Sequence, residues 1–376
     1  MSDKNLYFDT AATTPINPEV ANLMHKINLE HYGNPSSIHS QGHKSHNIIE
    51  RSRTEIANIL GCSVPELYFT SGGSESNNIV LKGLLQDGDH FITSSYEHPS
   101  ILGLCDELKN NNVEITLVKP DKNGIIDSNE IKNSIQTNTK LISIMYVNNE
   151  LGTINPIKEI GTIASENNIH FHTDAVQYIG KDEININSLN VDCLSIGAHK
   201  FYGPKGIGIL YIKKTCNIKP LISGGGQESG LRAGTENISS IAGMNMALKI
   251  AYENLEPNKD IINKLETYFL NELTNKQIDY RLNGTNRISG ILNITFFGVD
   301  GHSLLMNLDM LNISISYGSA CSSGSATAPM ALLEIGMDEN EARSTVRISI
   351  GKMITKENLD TLISKLEQVI IRIKNK

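Results

Sequence analysis

With 376 residues, 39% hydrophobic and 20% charged, the chain is long enough for two domains or one large α/β core of the soluble globular class. Its 33 basic and 41 acidic residues leave a net charge of −8 with no dense Lys/Arg run, which argues against a nucleic-acid surface. The longest apolar stretches, such as GIGILYI at 206–212, are too short to cross a bilayer, and the opening MSDKNLYFDT shows no secretory signal.

From about residue 65 to residue 212, short apolar runs alternate with amphipathic ones. Strands are predicted at 66–70, 90–95, 114–119, 141–147, 169–174, 192–197 and 206–212. Helical patterns separate the first six, among them 75–85 and 156–167, where Pro156 suits a helix start because its missing N–H costs nothing there. This alternation predicts an α/β fold: a mostly parallel, seven-stranded sheet covered by helices. The last two strands are joined by too few residues for a crossover helix, so the final strand is predicted antiparallel. After residue 255 the pattern changes. A charged helix (258–273), strands at 288–296 and 313–317, a helix (328–335), a strand (346–351) and a last helix (355–373) make a smaller α+β domain.

Polar groups collect at the ends of the predicted strands, where open α/β sheets bind ligands. FTSGGSESNN (69–78) offers backbone N–H groups at a helix start, close approach at Gly73 and the Ser74 hydroxyl, all suited to a phosphate. The plain alternative is a βα turn with an N-cap serine. No G-x-G-x-x-G or G-x-x-x-x-G-K-[ST] occurs, which weighs against dinucleotide and P-loop binding. YEHPS (96–100) sets His98 just past a strand, either stacked on a flat ligand or exposed at a helix start. YVNNELG (146–152) sets Asn148 and Asn149 in a turn, a common place for asparagine with or without a ligand. HFHTDAVQ (170–177) ends a strand on Asp174, and SIGAHKFYGPKG (195–206) ends one on His199 and Lys200. A half-desolvated lysine is a nucleophile toward an aldehyde, and a carboxylate suits a protonated ring nitrogen. Lys200 with Asp174 therefore reads as a pyridoxal phosphate site.

Five cysteines, with no C-x-x-C pair, argue for a reducing compartment and against a disulfide framework or a zinc site. Cys193 reads as core, Cys62 and Cys105 as helix-end residues, and Cys216 as part of a polar turn; none of the four carries an expected role. Cys321 differs. It stands in GSACSSGSATA (318–328), a run of small residues with little to pack, so its thiol is expected to enter and leave a site. Considered alone, the run also reads as a loop that merely contains a cysteine. His39, His43 and His46 fall at helical spacing but lack acidic or thiol partners nearby, so no metal is expected there.

Together SIGAHKFYGPKG, HFHTDAVQ, FTSGGSESNN, YEHPS, VNNELG, SGLRAGTEN and SYGSACSSGSA resemble the cysteine desulfurases of the NifS/IscS type, class V members of the fold-type I pyridoxal-phosphate enzymes. YFDTAATTP (7–15) and GNPSSIHSQG (33–42) match as well, so the resemblance runs from residue 7 to about residue 370. It implies a large cofactor-binding domain over 15–255, and a small domain from 1–14 and 256–376 that carries the catalytic cysteine loop. By the same resemblance Lys200 is the Schiff-base lysine and Asp174 pairs with the ring nitrogen. Gln177 and Asn149 lie at the ring hydroxyl, and His98 stacks on the ring and serves in proton transfer. Gly73, Ser74 and His199 hold the phosphate. Thr235 reaches the phosphate of a neighbouring subunit, which implies a homodimer. Arg347 forks the carboxylate of L-cysteine, with Asn149 beside it, and Cys321 takes the sulfur as a persulfide. The implied products are L-alanine and a persulfide passed to an acceptor protein, an iron–sulfur scaffold or another thiol carrier, in the cytoplasm.

Two features depart from the family pattern. Many members carry a phosphate-contacting serine where this chain has Gly197, so one hydrogen bond worth about 1 kcal/mol is missing and weaker cofactor retention is expected. The chain also stops at Lys376, short of the tail with which IscS-type members meet the scaffold, so that delivery is less firmly implied. The rivals on the same scaffold are a selenocysteine lyase and a class V aminotransferase. Neither needs the Cys321 thiol.

Overall fold

The computed structural model describes residues 5–318 and 328–375. It opens with β1 (Leu6–Tyr7), α1 (Pro18–Glu30) and α2 (Ser40–Leu60). Strands and helices then alternate: β2 (Leu67–Thr70), α3 (Gly73–Leu84), β3 (His90–Ser94), α4 (Pro99–Leu102), α5 (Cys105–Asn110), β4 (Glu114–Val118), α6 (Ser128–Asn133), β5 (Thr139–Ser143), α7 (Ile157–Glu166) and β6 (His170–Asp174). The hairpin pair β7 (Cys193–Gly197) and β8 (Gly208–Ile212) follows, then α8 (Ile238–Glu253) and α9 (Leu255–Asn275). The rest of the chain forms β9 (Tyr280–Asn283), β10 (Ile291–Phe296), α10 (Gly301–Asp309), β11 (Ile313–Ser314), α11 (Met330–Glu334), α12 (Glu339–Arg343), β12 (Thr345–Ser349) and α13 (Lys356–Lys374).

The central sheet has seven strands in the order β2-β8-β7-β6-β5-β3-β4. All pairs are parallel except those of β8, which runs antiparallel to both β2 and β7. The predicted antiparallel strand is therefore found, for the predicted reason: only residues 198–207 separate β7 from β8. The central strands β3, β7 and β8 are buried along their whole length, as near-continuous apolar runs must be when helices cover both faces. Ile92, Ile142, Phe171, Leu194, Ile196 and Ile209 fill the main core with residues of α2, α7 and α8.

A second core gathers Phe8 with Phe269, Leu292, Ile294, Phe296, Val346, Ile348 and one face of α13. Its antiparallel sheet runs β12-β10-β9, and β1 pairs in parallel with β11 at Leu6–Ile313 and Tyr7–Ser314. The start of the chain is thus packed with the C-terminal part.

Some boundaries shift from expectation. The strand predicted over 141–147 stops at Ser143. Beyond it Tyr146 still donates its N–H to the Asp174 carbonyl of β6, but Met145 donates its N–H to the Glu97 carboxylate, so the chain parts from β3 on its way to the site. The strand predicted over 313–317 pairs with β1 only through Ser314, and Ser316 then bridges to Arg347. The helix expected to open at Glu75 starts two residues earlier, at Gly73, and Pro156 is the cap before α7 rather than its first residue. β1, β9, α1, α2, α8, α10 and α12 had no counterpart among the elements predicted from the sequence.

Candidate active site

Five strand ends on one edge of the central sheet, with β12 and residues 11–12, surround a cavity of about 260 Å³. Gly73, Ser74, His98, Asn149, Asp174, Gln177, His199, Lys200 and Arg347 all line it. These residues spread over 275 positions of sequence and meet because parallel strands all point their carboxyl ends to one side. Thr235 does not join them: it lines a separate cavity of about 220 Å³ with Ser71, Gly206 and Arg232. Cys321 lies outside the described residues.

The turn after β2 shapes the anion end. Gly72 has φ 151°, a conformation that only glycine adopts cheaply. At Gly73, the first residue of α3, a Cβ would come within 2.6 Å of Val176 Cγ2, so glycine lets the helix start approach the cavity. Backbone N–H groups at the start of this 12-residue helix have no intrahelical acceptors and favour an anion. His199 closes the same end, with Nδ1 3.1 Å from Thr13 Oγ1. Burial, joined by the nearby charges of Lys200 and Lys205, pushes its pKa down to about 4, so it meets an anion as a neutral ring.

Asp174 ends β6 and is 7% exposed. Its Oδ2 accepts from Asn77 Nδ2 at 2.8 Å, and its Oδ1 accepts from Val176 N–H at 3.0 Å. Asn77 also donates to Ser100 Oγ at 2.8 Å, and that hydroxyl lies 2.8 Å from His98 Nδ1. The carboxylate and the imidazole are therefore tied by one short network. Burial lowers the His98 pKa, Lys200 adds to the effect, and Asp174 opposes it. The ring is neutral near pH 7.

Lys200 ends the short turn after β7, and its ammonium donates to the carbonyls of Ala11 (2.6 Å) and Ala12 (2.7 Å). Gln177 Nε2 donates to the same Ala11 carbonyl at 2.8 Å, while its Oε1 accepts from Lys181 Nζ at 2.7 Å. Lys181 thus fixes which end of the Gln177 amide faces the cavity. Its ammonium is enclosed, and burial with the neighbouring charges of Lys200 and Arg347 brings its pKa down to about 7.

Arg347 enters from β12 and is 1% exposed. It donates to Asp9 Oδ1 at 2.8 Å and to the Asn149 carbonyl at 2.6 Å, while its buried Nε has no hydrogen-bond partner among the described residues. As a residue lining the cavity, the Arg347 guanidinium places a fixed cation beside any anionic ligand held there. The strand segment before Cys321 begins here, since Ser316 and Arg347 exchange backbone hydrogen bonds at 3.0 and 2.8 Å.

Asn77, Ser100, Glu97 and Lys181 were not singled out by sequence reasoning. Asn77 lies one helical turn beyond Gly73, and Lys181 four residues beyond Gln177, so spacing from the recognised residues was the available signal. Glu97 sits beneath the site, 4% exposed, accepting from Ser94 Oγ at 2.5 Å and from Met145 N–H at 2.9 Å. Burial raises its pKa to about 8. The expected hydrogen bond missing at Gly197 has a structural counterpart: a Cβ there would lie 3.7 Å from Gly73 N, with room and no clash. The cavity thus combines an amine, a buried carboxylate, an imidazole and a helix start, a set of groups that fits pyridoxal phosphate.

Comparison with known proteins gives the same outline. Residues 6–362 match the class-V aminotransferase family. A cysteine desulfurase IscS of Dictyoglomus turgidum is 42% identical over 377 residues, covering 99% of this chain and 96% of that protein. A cysteine desulfurase IscS of Methanosarcina thermophila is 41% identical, covering 99% of this chain and 94% of that one. Among solved structures, a NifS-like protein superposes with a TM-score of 0.91 at 34% identity, covering 98% of this chain and all of that one. SspA in complex with cysteine superposes with a TM-score of 0.83 at 38% identity over 92% of this chain and 99% of that one.

Proposed function

On the premise that this chain belongs to the class-V aminotransferase family, among its cysteine desulfurases, we propose how its residues take sulfur from L-cysteine. The protein is a pyridoxal-phosphate-dependent enzyme that removes the sulfur of L-cysteine and releases L-alanine. The observation that carries the assignment of roles is the single cavity lined by Lys200, Asp174, His98, Gln177, His199 and Arg347.

Pyridoxal phosphate, when bound, supplies an aldehyde for amines and a ring that takes up the electron pair released at Cα. Gly73 N–H, Ser74 Oγ and His199 hold the phosphate at the start of α3. Asp174 would pair with the protonated ring nitrogen, and Asn77 keeps that carboxylate in place. Gln177, oriented by Lys181, donates to the ring hydroxyl, with Asn149 beside it. His98, which lines the cavity, would stack on the ring and serve in proton transfer. Lys200 is the amine that would hold the aldehyde, and as a free amine it would move the Cα proton of the substrate.

Arg347 binds the substrate carboxylate, and its bond to Asp9 keeps the fork aimed. The Cys321 thiolate then attacks the substrate sulfur. An S–S bond forms on Cys321, the C–S bond breaks, and a proton delivered to the carbon left behind completes alanine. The persulfide passes to the thiol of an acceptor protein, for iron–sulfur cluster assembly or another thiolation. We assign residues 15–255 to the cofactor-binding domain, and 1–14 with 256–376 to the domain carrying Cys321; the packing of Phe8 with C-terminal residues in one apolar core supports joining the two ends of the chain. Thr235 serves the phosphate of a second subunit in a homodimer, which accords with its place in a cavity apart from the other groups. No described helix is long and apolar enough to cross a membrane, and the reading places the enzyme in the cytoplasm.

The test is alanine released from L-cysteine by cofactor-loaded protein, with Cys321→Ala in parallel. Turnover in the native protein and none in the variant is expected. Equal turnover in both would favour a selenocysteine-lyase type of chemistry that does not need the thiol.

A further inference from the structure

Two thiols lie together at the end of the central sheet away from the active site. Cys193 is the first residue of β7, and Cys216 follows β8 in a turn closed by its own N–H on the Lys213 carbonyl. Their sulfur atoms are 3.9 Å apart, both residues are buried, and both contribute to one apolar cluster with Leu141, Leu210 and Ile212. Cys193 is fully enclosed, whereas Cys216 keeps 6% of its surface. The four-residue rise from Cys193 to Gly197 separates the pair from the Lys200 end of β7 by roughly 13 Å.

The surroundings make the two thiols unequal. His170 stands beside Cys216 and interacts with it electrostatically, and its Nδ1 lies 3.7 Å from Asp192 Oδ2. Asp192 is held in turn by the Phe171 N–H at 3.0 Å and by Lys213 Nζ at 3.6 Å. Asp192 and Cys216 raise the His170 pKa to about 9, so the ring is an imidazolium near neutrality. The hydrogen bond from Cys193 and the His170 charge favour the Cys216 thiolate. Burial pushes Cys62 and Cys105 the other way, Cys62 to about 12. The His170 side chain is 29% exposed, which gives a small oxidant an approach beside it.

We infer that Cys216 and Cys193 form a dithiol site that a peroxide converts to a disulfide, bridging the base of the hairpin that carries Lys200. The Cys216 thiolate attacks one peroxide oxygen. An S–O bond forms, the O–O bond breaks, and the departing hydroxide takes a proton from His170 to leave as water. Cys193 then attacks the sulfenic sulfur; the S–S bond forms, the S–O bond breaks, and the thiol proton leaves with the hydroxide as a second water. Two thiols lose two electrons to one peroxide. The sulfur atoms close from 3.9 Å to about 2.05 Å, a movement available to Cys216 because it lies in a turn and not in the ladder. The new ring encloses His199 and Lys200, so the oxidised protein resists unfolding more than the reduced one.

The experiment treats the cofactor-loaded protein with hydrogen peroxide, quenches it, alkylates the remaining thiols under denaturing conditions and maps the peptides. A Cys193–Cys216 linked peptide is expected before Cys62 or Cys105 is lost, reversed by dithiothreitol, with a higher melting temperature for the oxidised form. In Cys193→Ser, a sulfenic-acid trap should mark Cys216. His170→Asn should slow formation of the link, because it removes both the charge that favours the Cys216 thiolate and the proton donor to the departing hydroxide. Cys193 and Cys216 still alkylatable after Cys62 and Cys105 have reacted would overturn the inference, as would linkage of Cys216 to any other cysteine. If a variant fails to fold, the order of thiol loss in the native protein decides alone.

Discussion

Arg347 and Asp9 stand 338 positions apart in the chain and form an ion pair at 2.8 Å with Arg347 only 1% exposed. The contact ties the first strand region to β12, and the buried guanidinium Nε has no hydrogen-bond partner among the described residues. A planar fork held this way suits a carboxylate, and a lysine cannot reproduce it.

Arg347→Lys keeps the charge and loses the fork. We expect KM for L-cysteine to rise about 10- to 100-fold, the worth of one charge-assisted hydrogen bond of about 1.5–3 kcal/mol, with a smaller change in kcat. Steady-state kinetics check this. An unchanged KM would remove Arg347 from the substrate site.

Gly197→Ser should tighten cofactor retention. The Cβ fits at ordinary contact distance 3.7 Å from Gly73 N, at the helix start, and the backbone at this position is extended, φ −127°. One added hydrogen bond of about 1–1.5 kcal/mol corresponds to roughly fivefold to tenfold slower loss of pyridoxal phosphate on dilution. The visible absorbance of the bound cofactor reads this directly, and an identical dissociation rate would count against it.

Glu97 makes stability depend on pH. Its folded pKa, about 8, lies above the unfolded carboxyl value, so the native state holds a proton that the unfolded chain gives up. Stability from this group is present at low pH and falls as pH rises between about 4.5 and 8, by at most about 1.4 kcal/mol per unit. Glu97→Gln should flatten that slope and melt higher than the native protein at pH 8. Parallel melting curves for the two proteins across this range would exclude the effect.

Asn77→Ala removes one of the donors that hold Asp174. We expect a loss of about 1–3 kcal/mol in stability and a shifted pH titration of the bound cofactor's absorption band. A purely structural asparagine would move the first and not the second.

Lys181→Met removes the group that orients Gln177. The cavity stays lined, but the amide is free to turn, so the cofactor band should again shift while the fold persists. Because burial lowers the Lys181 pKa to about 7, the native protein gains stability from this group as pH rises from 7 toward 10. The variant should lack that gain, which thermal melts at pH 7 and pH 9.5 would reveal.

The strand runs of the central sheet, the antiparallel turn at β8 and the polar residues at the strand ends were all readable along the chain, because period and burial leave their mark on neighbouring residues. Strand ends were less readable: nothing local tells that residue 145 leaves the ladder to bond Glu97. The two-residue β1 carries no periodicity of its own, and exists only because β11 lies beside it. Asn77, Ser100 and Lys181 are ordinary polar residues until Asp174, His98 and Gln177 come within hydrogen-bond distance.

By itself, the sequence determined the chemistry available to this protein, because an amine, a carboxylate, an imidazole and a glycine-rich helix start are properties of residue types at strand ends. Only the tertiary structure decided their charge states and aim. The neutral His199 and the low pKa of Lys181 come from burial and from charges distant in the chain, and the Cys193–Cys216 contact comes from a hairpin that brings two unremarkable thiols together. Electrostatic energies depend on distance through space and on access to water, and neither is written in the order of the residues.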